Sequence, residues 1–256
     1  MERKGLDISS YQKGINFDEI KSKVDFLILR AGFTGWGGDG TNKNKDSCFE
    51  DFYYKSKSRG IPVGAYWYSC ANTYEKGRAE AEYLYNNCLR GKQFEYPIYM
   101  DVEENRHQQV GKSRMAEAIK GFCEYLEGKG YYVGIYANSN YFNNFIDTAK
   151  LSMYDKWLAV WTSNKPSFRY GDYGMWQNSS SGYVAGMRVD TDFAYKDYPA
   201  IIKNAGLNGY SKGSSEPAKP EPSRKSNEDL ADEVINGNWG NGEERKRALT
   251  NAGYDY

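Results

Sequence analysis

Two acidic side chains end an apolar segment near the middle of the chain, in the sequence Tyr99-Met-Asp101-Val-Glu103. Alternate side chains of a β-strand share a face, so Asp101 and Glu103 would point the same way with Cα atoms roughly 6–7 Å apart. Glycoside hydrolysis uses such a pair, because one protonated carboxyl group supplies a proton and a carboxylate supports the oxocarbenium-like transition state. Taken alone, the motif is more typical of a strand that ends in a solvated acidic turn.

Acids also occur in two other predicted strands. Asp7 closes the first strand, and Asp190 and Asp192 lie in the last one. In a β/α barrel the carboxyl ends of the strands converge on one mouth, where active sites lie. The first and last strands become neighbours when the barrel closes, which predicts that Asp7 and Asp190 come close together. With Asp101 and Glu103 this places at least four acids in one cleft, and chance placement becomes a poor explanation.

The elements that must position these acids alternate along the chain. Strands are predicted at Lys4–Ser9, Asp25–Gly32, Pro62–Ser69, Tyr96–Glu103, Tyr131–Asn138, Lys156–Thr162, Asp172–Gln177 and Arg188–Phe193. Helical periodicity is clear at Ser47–Ser58, Tyr74–Leu89 and Ser113–Lys129, and weaker at Ser139–Thr148 and Asp197–Asn204. Strands that alternate with helices indicate parallel strands joined by crossovers. Loops separate the last strands, so we expect an α/β fold, an irregular TIM-like barrel of eight strands with fewer helices.

The 256 residues suffice for one large domain and an appendage. We assign residues 1–208 to the barrel. Residues 209–226 are rich in proline, serine, lysine and glutamate and predict an extended linker. Residues 227–256 are predicted to form a small helical C-terminal segment, which is too short to be stable alone without disulfides or a structural metal.

The charge balance argues against several partners. Lysine plus arginine equals aspartate plus glutamate at 34 each, so neither nucleic acid nor a membrane is expected as a partner. His107 is the only histidine and is predicted to be a solvated loop residue, which leaves no Ser-His-Asp triad or histidine metal site. The acids lack EF-hand spacing, so we expect no metal and no cofactor.

The cysteines and the N-terminus predict where the chain is made. Cys48, Cys70, Cys88 and Cys123 are spread out without a CxxC pair, which favours free thiols and a reducing cytoplasm. Met1 to Gln12 show no basic-then-apolar pattern, so we expect no signal segment before the first strand. We therefore expect a chain, by default a monomer, that reaches an external target by a separate route.

Seven short motifs follow one another in order at the predicted strand ends. They are Asp7-Ile-Ser9-Ser-Tyr-Gln12 with Gly14-Ile-Asn-Phe17, Gly64-Ala-Tyr66, Met100-Asp101-Val-Glu103, Gly134-Ile-Tyr136, Trp157-Leu-Ala-Val-Trp161, Met175-Trp176-Gln177 and Val189-Asp190-Thr-Asp192. Together they resemble the glycoside hydrolase family 25 lysozymes over about residues 4–205. The resemblance implies a modified β/α barrel. It also implies muramidase activity on bacterial peptidoglycan, cutting the β-1,4 bond between N-acetylmuramic acid and N-acetylglucosamine.

The resemblance also implies a role for each acid. Glu103 would be the general acid, and Asp101 its partner, as a charge stabiliser or by orienting the acetamido group of the substrate. Asp7 and Asp190 would adjust the pKa values of Glu103 and Asp101 and bind sugar hydroxyls. Asp192 would hold these acids in position without contacting the sugar. Whether a carboxylate or the acetamide of the substrate acts as nucleophile stays open.

Aromatic side chains at the same strand ends are predicted to form platforms for the sugars, and Gln177 to donate to a sugar oxygen or to cap a strand. The predicted platforms are Tyr66, Trp67, Tyr136, Trp161 and Trp176. An aromatic ring can stack on a sugar ring or fill the barrel core. For Trp176 and for Trp157, the two interpretations are about equally good.

The segment from Leu230 to Tyr254 resembles a cell-wall-binding repeat that stops before its usual third helix. An incidental helical tail is the alternative. Together with the expectation of no signal segment, this resemblance favours a phage endolysin that acts on the cell wall. Two other functions stay open: a different glycosidase such as a chitinase, whose DxxDxDxE motif is not seen, and a sugar-binding barrel without activity.

Overall fold

The computed structural model describes residues 2–35 and 41–212, together with residues 230–231, 234–235, 245–246 and 249. The chain divides into two compact units, residues 1–218 and 219–256. In the second unit the described residues are helical, with Leu249 buried and Ile235 exposed. The rest of the predicted C-terminal segment and residues 213–226 of the predicted linker lie outside the described residues.

Within the described ranges of the first unit, nine β-strands form one sheet. They are β1 (Arg3–Ile8), β2 (Phe26–Thr34), β3 (Lys43–Lys45), β4 (Val63–Tyr68), β5 (Ile98–Asp101), β6 (Val133–Asn138), β7 (Asp155–Ala159), β8 (Met175–Val184) and β9 (Met187–Ala194). Eight strands pair in the order β1-β9-β8-β7-β6-β5-β4-β2, β2 pairs back with β1, and β3 extends β2. The predicted eight-stranded TIM-like barrel is confirmed.

One strand runs against the others. β9 is antiparallel to both of its neighbours, β1 and β8. The other barrel strands pair in parallel. The expectation that every strand points its carboxyl end at the mouth is therefore wrong for β9, which joins β8 in a hairpin.

Helices cover part of the outside of the barrel. Those described are α1 (Phe17–Lys21), α2 (Phe49–Ser58), α3 (Tyr74–Leu84), α4 (Lys112–Glu127), α5 (Ser139–Asn144) and α6 (Tyr198–Ala205). A wider helical turn continues α3 to Leu89. The sequence did not predict α1 or β3, which are short. No helix in the described part of the chain is long and apolar enough to cross a membrane.

Strand alternation produces two separate cores. Leu6, Leu29 and Trp67 belong to the outer core between the barrel and its helices, whereas Phe26 and Trp157 belong to the barrel interior. The interior is aromatic: the Trp157 ring lies 5.2 Å from the Tyr99 ring and 4.6 Å from the Tyr136 ring between centroids. Gly134 makes room for this packing, because a Cβ atom there would lie 2.4 Å from Tyr99 Cε1. Packed aromatic rings therefore fill the barrel interior below the acids at the mouth.

The packed chain continues past the predicted end of the barrel at residue 208. Asn208 accepts a hydrogen bond from the Tyr132 backbone N–H (2.7 Å) and donates to the Tyr96 carbonyl (2.9 Å). Tyr210 is buried, and its hydroxyl donates to Glu95. The predicted linker therefore begins later than residue 209, and its other boundary stays a prediction. All four cysteines are free.

Candidate active site

The register of β1 and β9 sets two acids directly opposite each other. Asp7 on β1 faces Asp190 on β9. In an antiparallel pair opposite Cβ atoms lie about 4.5–5.5 Å apart, and like charges there are destabilising. Asp190 lies in the middle of β9 and reaches the mouth from there. The two acids are therefore close together as predicted, although β9 runs in the opposite direction to the prediction.

The second pair of acids follows β5. Asp101 is only 4% exposed, whereas the side chain of Glu103, two residues later, is exposed to solvent. The charges of Glu103 and of Asp7 both act on Asp101. Within the described residues, Asp101 Oδ1 has no hydrogen-bond partner. The site thus has an open acid at its rim and a buried acid below it with a free acceptor atom.

Complete or partial desolvation raises the pKa of each acid in this cluster. Loss of solvent, followed by the charge of Glu103, raises the pKa of Asp101 well above its usual value. For Asp7 the causes are loss of solvent and then the charge of Asp190. Partial desolvation also raises the pKa of Asp190 and of Glu103, and the charges of Asp190 and Glu104 add to the rise at Glu103. Raised pKa values in a cleft are typical of catalytic acids.

Asp192 forms a carboxyl pair with Asp7 below the mouth. The Trp157 indole N–H donates to Asp192 Oδ1 at 2.9 Å. Asp192 Oδ2 has no hydrogen-bond partner among the described residues. Burial, followed by the negative charge of Asp7, raises the pKa of Asp192 well above its usual value. The pair therefore resists ionisation of both carboxyl groups at once.

A buried amide fixes the position of Asp7. The Gln177 side-chain N–H donates to Asp7 Oδ2 at 2.8 Å. The Tyr136 hydroxyl and the Trp161 indole N–H donate to Gln177 Oε1 at 2.9 and 3.0 Å. These contacts determine which way the amide faces. Gln177 therefore acts as a support for Asp7, whereas the sequence suggested a sugar contact or a strand cap.

Strand alternation separates the predicted sugar platforms. Tyr66 and Tyr136 face the barrel interior, and Trp161 is 64% exposed at the mouth. Trp67 is fully buried in the outer core, where its indole N–H donates to Thr34 Oγ1 at 3.2 Å. Trp176 is also buried there, with its N–H on the Val160 carbonyl at 2.8 Å. The predictions of Trp67 and Trp176 as sugar platforms are corrected, because both side chains lie on the far face of their strands.

Residues 6–187 match the family model described as Glycosyl hydrolases family 25. The chain belongs to glycosyl hydrolase family 25. A second family model, the CW_7 repeat, matches residues 228–256. The family 25 match contains Asp7, Asp101 and Glu103, and it ends before Asp190.

Family 25 relatives include the autolytic lysozyme of Clostridium acetobutylicum, which is 28% identical over 192 residues. That match covers 74% of this chain, and the chain spans about half of the relative, 54% of its length. The crystal structure of the CTP1L endolysin has a TM-score of 0.67 at 24% identity, covering 79% of this chain and 70% of that one. The bacterial lysozyme of Streptomyces coelicolor has the same TM-score and identity, covering 79% of this chain and 97% of that one. The two structural matches show the shared fold.

One charged residue of this family 25 site was not predicted from the sequence. Arg30 follows Phe26 and Ile28 on the inward face of β2 and is only 8% exposed. Its Nε donates to Asp46 Oδ2 at 2.8 Å, and Nη2 donates to Ser10 Oγ at 3.0 Å. Its positive charge lowers the pKa of Asp101 against the larger effect of burial. An arginine at an inward position of an apolar strand is the sequence signal that could have found it.

The backbone that carries Glu103 is held by tyrosines of this family 25 barrel. The Tyr141 hydroxyl donates to the Glu103 carbonyl at 2.9 Å. The Tyr68 hydroxyl donates to Glu104 Oε2 at 3.1 Å. These two contacts tie the segment after β5 to β4 and α5. Glu103 is exposed in its side chain but fixed in its main chain.

The prediction that His107 is a solvated loop residue is wrong. The side chain is 1% exposed, and burial lowers its pKa to about 4. It lies in the short helical turn after Glu104, beside the backbone of Ala71. The imidazole is neutral at physiological pH and packs under the segment that carries the acids.

Proposed function

We propose that this family 25 barrel is a muramidase that cleaves the β-1,4 bond between N-acetylmuramic acid and N-acetylglucosamine in peptidoglycan. The observation that carries the proposal is the gathering of Asp7, Asp101, Glu103, Asp190 and Asp192 at one barrel mouth, each with a raised pKa. Glycoside hydrolysis needs one carboxyl group that keeps its proton and another group that supports positive charge on the sugar.

Glu103 is the proton donor in this proposal. Its side chain reaches solvent at the rim, where the glycosidic oxygen of a bound glycan can approach it. Its raised pKa, caused by desolvation and by the charges of Asp190 and Glu104, keeps a proton on it at pH values where an ordinary glutamate is ionised. Main-chain anchoring by Tyr141 supports a fixed direction of proton transfer.

Asp101 is the partner of Glu103. It is buried below the rim, and its Oδ1 has no hydrogen-bond partner among the described residues; a small rotation of the carboxyl group toward the mouth would let this oxygen accept the acetamido N–H of the sugar. Asp101 stabilises the positive charge of the transition state only in its ionised form, which the positive charge of Arg30 favours against the effect of burial. Asp190 and Glu104 supply the negative charge that favours a proton on Glu103, and Gln177 holds Asp7 in place.

Trp161 forms the sugar platform of this site. Its indole is 64% exposed, and its N–H is fixed on Gln177 Oε1 at 3.0 Å. A flat aromatic face held in one orientation suits stacking on a sugar ring, because little rotamer freedom is lost on binding. Tyr66 and Tyr136 complete the wall below it.

The second unit is proposed to hold the enzyme on the bacterial wall. Its match to the CW_7 repeat and the similarity of the barrel to an autolytic lysozyme and an endolysin support this role. The proposal includes action on the cell wall as an endolysin released by a separate route. Removing residues 213–256 is expected to leave turnover of soluble glycan unchanged and to reduce sedimentation of the protein with purified walls. Equal sedimentation of both forms would contradict the binding role.

The bond cleaved is tested by digestion of purified peptidoglycan, followed by borohydride reduction and mass spectrometry of the new ends. Reduced N-acetylmuramic acid is the expected product, and the Glu103→Gln protein serves as the matched control. Reduced N-acetylglucosamine would identify a glucosaminidase. Cleavage of chitin oligosaccharides alone would favour a chitinase, and no cleavage at all would favour a sugar-binding barrel.

A further inference from the structure

A cavity of about 360 Å³ opens on the β1–β2 side of the barrel mouth, beside the acid cluster. Its lining includes Ser10, Tyr11, Arg30, Phe33, Asn44 and Lys45. Arg30 connects the cavity to the acids, because its charge acts on both Asp101 and Tyr66. The mouth thus places a recess with two cationic side chains next to a cluster of carboxyl groups.

Arg30 is fixed in this recess before any ligand binds. Asp46 and Ser10 hold its Nε and Nη2 atoms. The rings of Tyr11 and Phe33 lie 5.1 and 5.4 Å from the guanidinium carbon. Among the described residues, the remaining terminal nitrogen, Nη1, takes no hydrogen-bond partner. A planar guanidinium with a free edge is the group that proteins use to bind carboxylates.

Lys45 supplies a second cation that can turn to a ligand. It lies on β3 with its side chain 34% exposed and pairs with Glu50. Glu50 also pairs with Lys92 at 3.1 Å. Because Glu50 keeps this second partner, movement of the Lys45 ammonium to a ligand leaves no carboxylate without a cation. Ser10 and Asn44 add polar groups to the same wall.

We propose that this cavity binds the carboxylate that distinguishes N-acetylmuramic acid from N-acetylglucosamine, on its lactyl arm or on the peptide stem attached to that arm. The inference rests on the proposed function. Carboxyl groups at the mouth repel an anionic substituent, so a muramic residue over the acids needs a cationic recess for its arm. N-acetylglucosamine has no such arm. The cavity therefore fixes which of the two sugars lies over the acids, and hence which bond is cut.

Binding tests this inference without turnover. Full-length Glu103→Gln protein is titrated calorimetrically with muramyl dipeptide, N-acetylmuramic acid and chitobiose. Lys45→Gln in the same background is expected to weaken binding of a carboxylate probe about tenfold, the size of one charge-assisted hydrogen bond, and to leave chitobiose binding unchanged. Lys43→Gln is the matched control, because Lys43 lies on the same strand, donates to the Thr41 carbonyl and does not line the cavity.

The probes separate the two sources of the carboxylate. Weaker binding of muramyl dipeptide alone assigns the cavity to the stem, and weaker binding of N-acetylmuramic acid assigns it to the lactyl arm. Unchanged binding of both probes by Lys45→Gln, or an equal loss with chitobiose, overturns the inference. Because the readout is binding by a protein without the proton donor, its failure is distinct from a failure to release muramic ends from peptidoglycan.

Discussion

The two ends of the barrel both bury carboxyl groups, but they satisfy them differently. At the end opposite the mouth, Asp155 accepts hydrogen bonds from the hydroxyls of Tyr99 (3.0 Å) and Tyr198 and pairs with Lys196. Glu95 pairs with Lys57 and accepts the Val63 backbone N–H at 3.0 Å and the Tyr210 hydroxyl. At the mouth the acids face mainly one another, and Asp101 Oδ1 and Asp192 Oδ2 have no donor among the described residues.

This difference separates structural acids from functional ones. A buried carboxylate with cations and hydroxyls around it locks the strands that carry its partners, and removal of the carboxylate leaves those partners unsatisfied. Acids set against one another destabilise the fold and shift each other's pKa, which glycosidic chemistry requires. Substitutions at the end opposite the mouth are therefore expected to lower stability, whereas substitutions at the mouth should lower activity and can raise stability.

The largest expected effect is on catalysis, at the mouth. Glu103→Gln keeps the shape of the side chain but cannot donate the proton. The kcat on purified peptidoglycan is expected to fall roughly 10²–10⁴-fold, the range of general acid catalysis, while the thermal unfolding midpoint does not fall. Release of reducing ends measures the first quantity and calorimetry the second. A kcat within a factor of three of the original would remove Glu103 from this role.

At the end of the barrel opposite the mouth, a substitution is expected to lower stability and to leave kcat unchanged. Asp155→Asn removes the charge that pairs with Lys196 and weakens the hydrogen bonds from two tyrosines, and should lower the free energy of unfolding by about 1–3 kcal/mol. The kcat of the folded protein should not change. Urea denaturation and initial rates at low temperature measure the two effects. A large loss of kcat with unchanged stability would break the distinction between the two ends.

A smaller effect, with the reverse sign, is expected for Asp192→Asn. The amide can still accept from the Trp157 indole N–H, and it places no negative charge beside Asp7. Because the pKa of Asp192 is raised in the fold, the original chain loses stability as pH rises from about 4. The variant is expected to be more stable by about 1–2 kcal/mol at pH 7 and about equal at pH 4. Urea midpoints at both pH values measure this, and lower stability at pH 7 would contradict it.

The smallest effect concerns the sugar platform. Trp161→Ala removes the exposed indole face and is expected to raise KM roughly fivefold, since an aromatic contact is worth about 1 kcal/mol. Trp161→Phe keeps a flat ring but loses the hydrogen bond to Gln177, so its KM should lie between those of the original protein and of Trp161→Ala. Steady-state kinetics on soluble glycan strands measure both. Equal KM values for all three proteins would exclude stacking at this position.

The barrel and its acids were predictable because their signals are local. Apolar runs broken by turns marked every strand of the closed barrel, and Asp7, Asp101 and Glu103 stood near the ends of those runs. The direction of β9 was not predictable in the same way, because a strand has the same alternation in either direction. Asp7 and Asp190 are nevertheless neighbours as predicted, because the barrel closes between β1 and β9 whichever way β9 runs.

The errors in the site come from which face a residue occupies. Tyr66 and Trp67 are consecutive on β4 and must point to opposite faces, so only one of them can line the mouth. Trp176 and Gln177 on β8 repeat this pattern. The hydrogen bonds of Gln177 join three strands, and the burial of His107 depends on the packing of a short turn. Neither follows from spacing along the chain.

Two titrations of one protein decide whether Glu103 is the proton donor. Carbon-13 NMR follows the Glu103 carboxyl group, identified by its loss in Glu103→Gln, and kcat/KM on soluble glycan is measured over the same pH range. The pKa of Glu103 is expected to lie above its ordinary value of 4.5. Because a general acid must be protonated, kcat/KM should fall as pH rises through that same pKa. A Glu103 that titrates at or below 4.5, or an alkaline limb at a different pH, would contradict it.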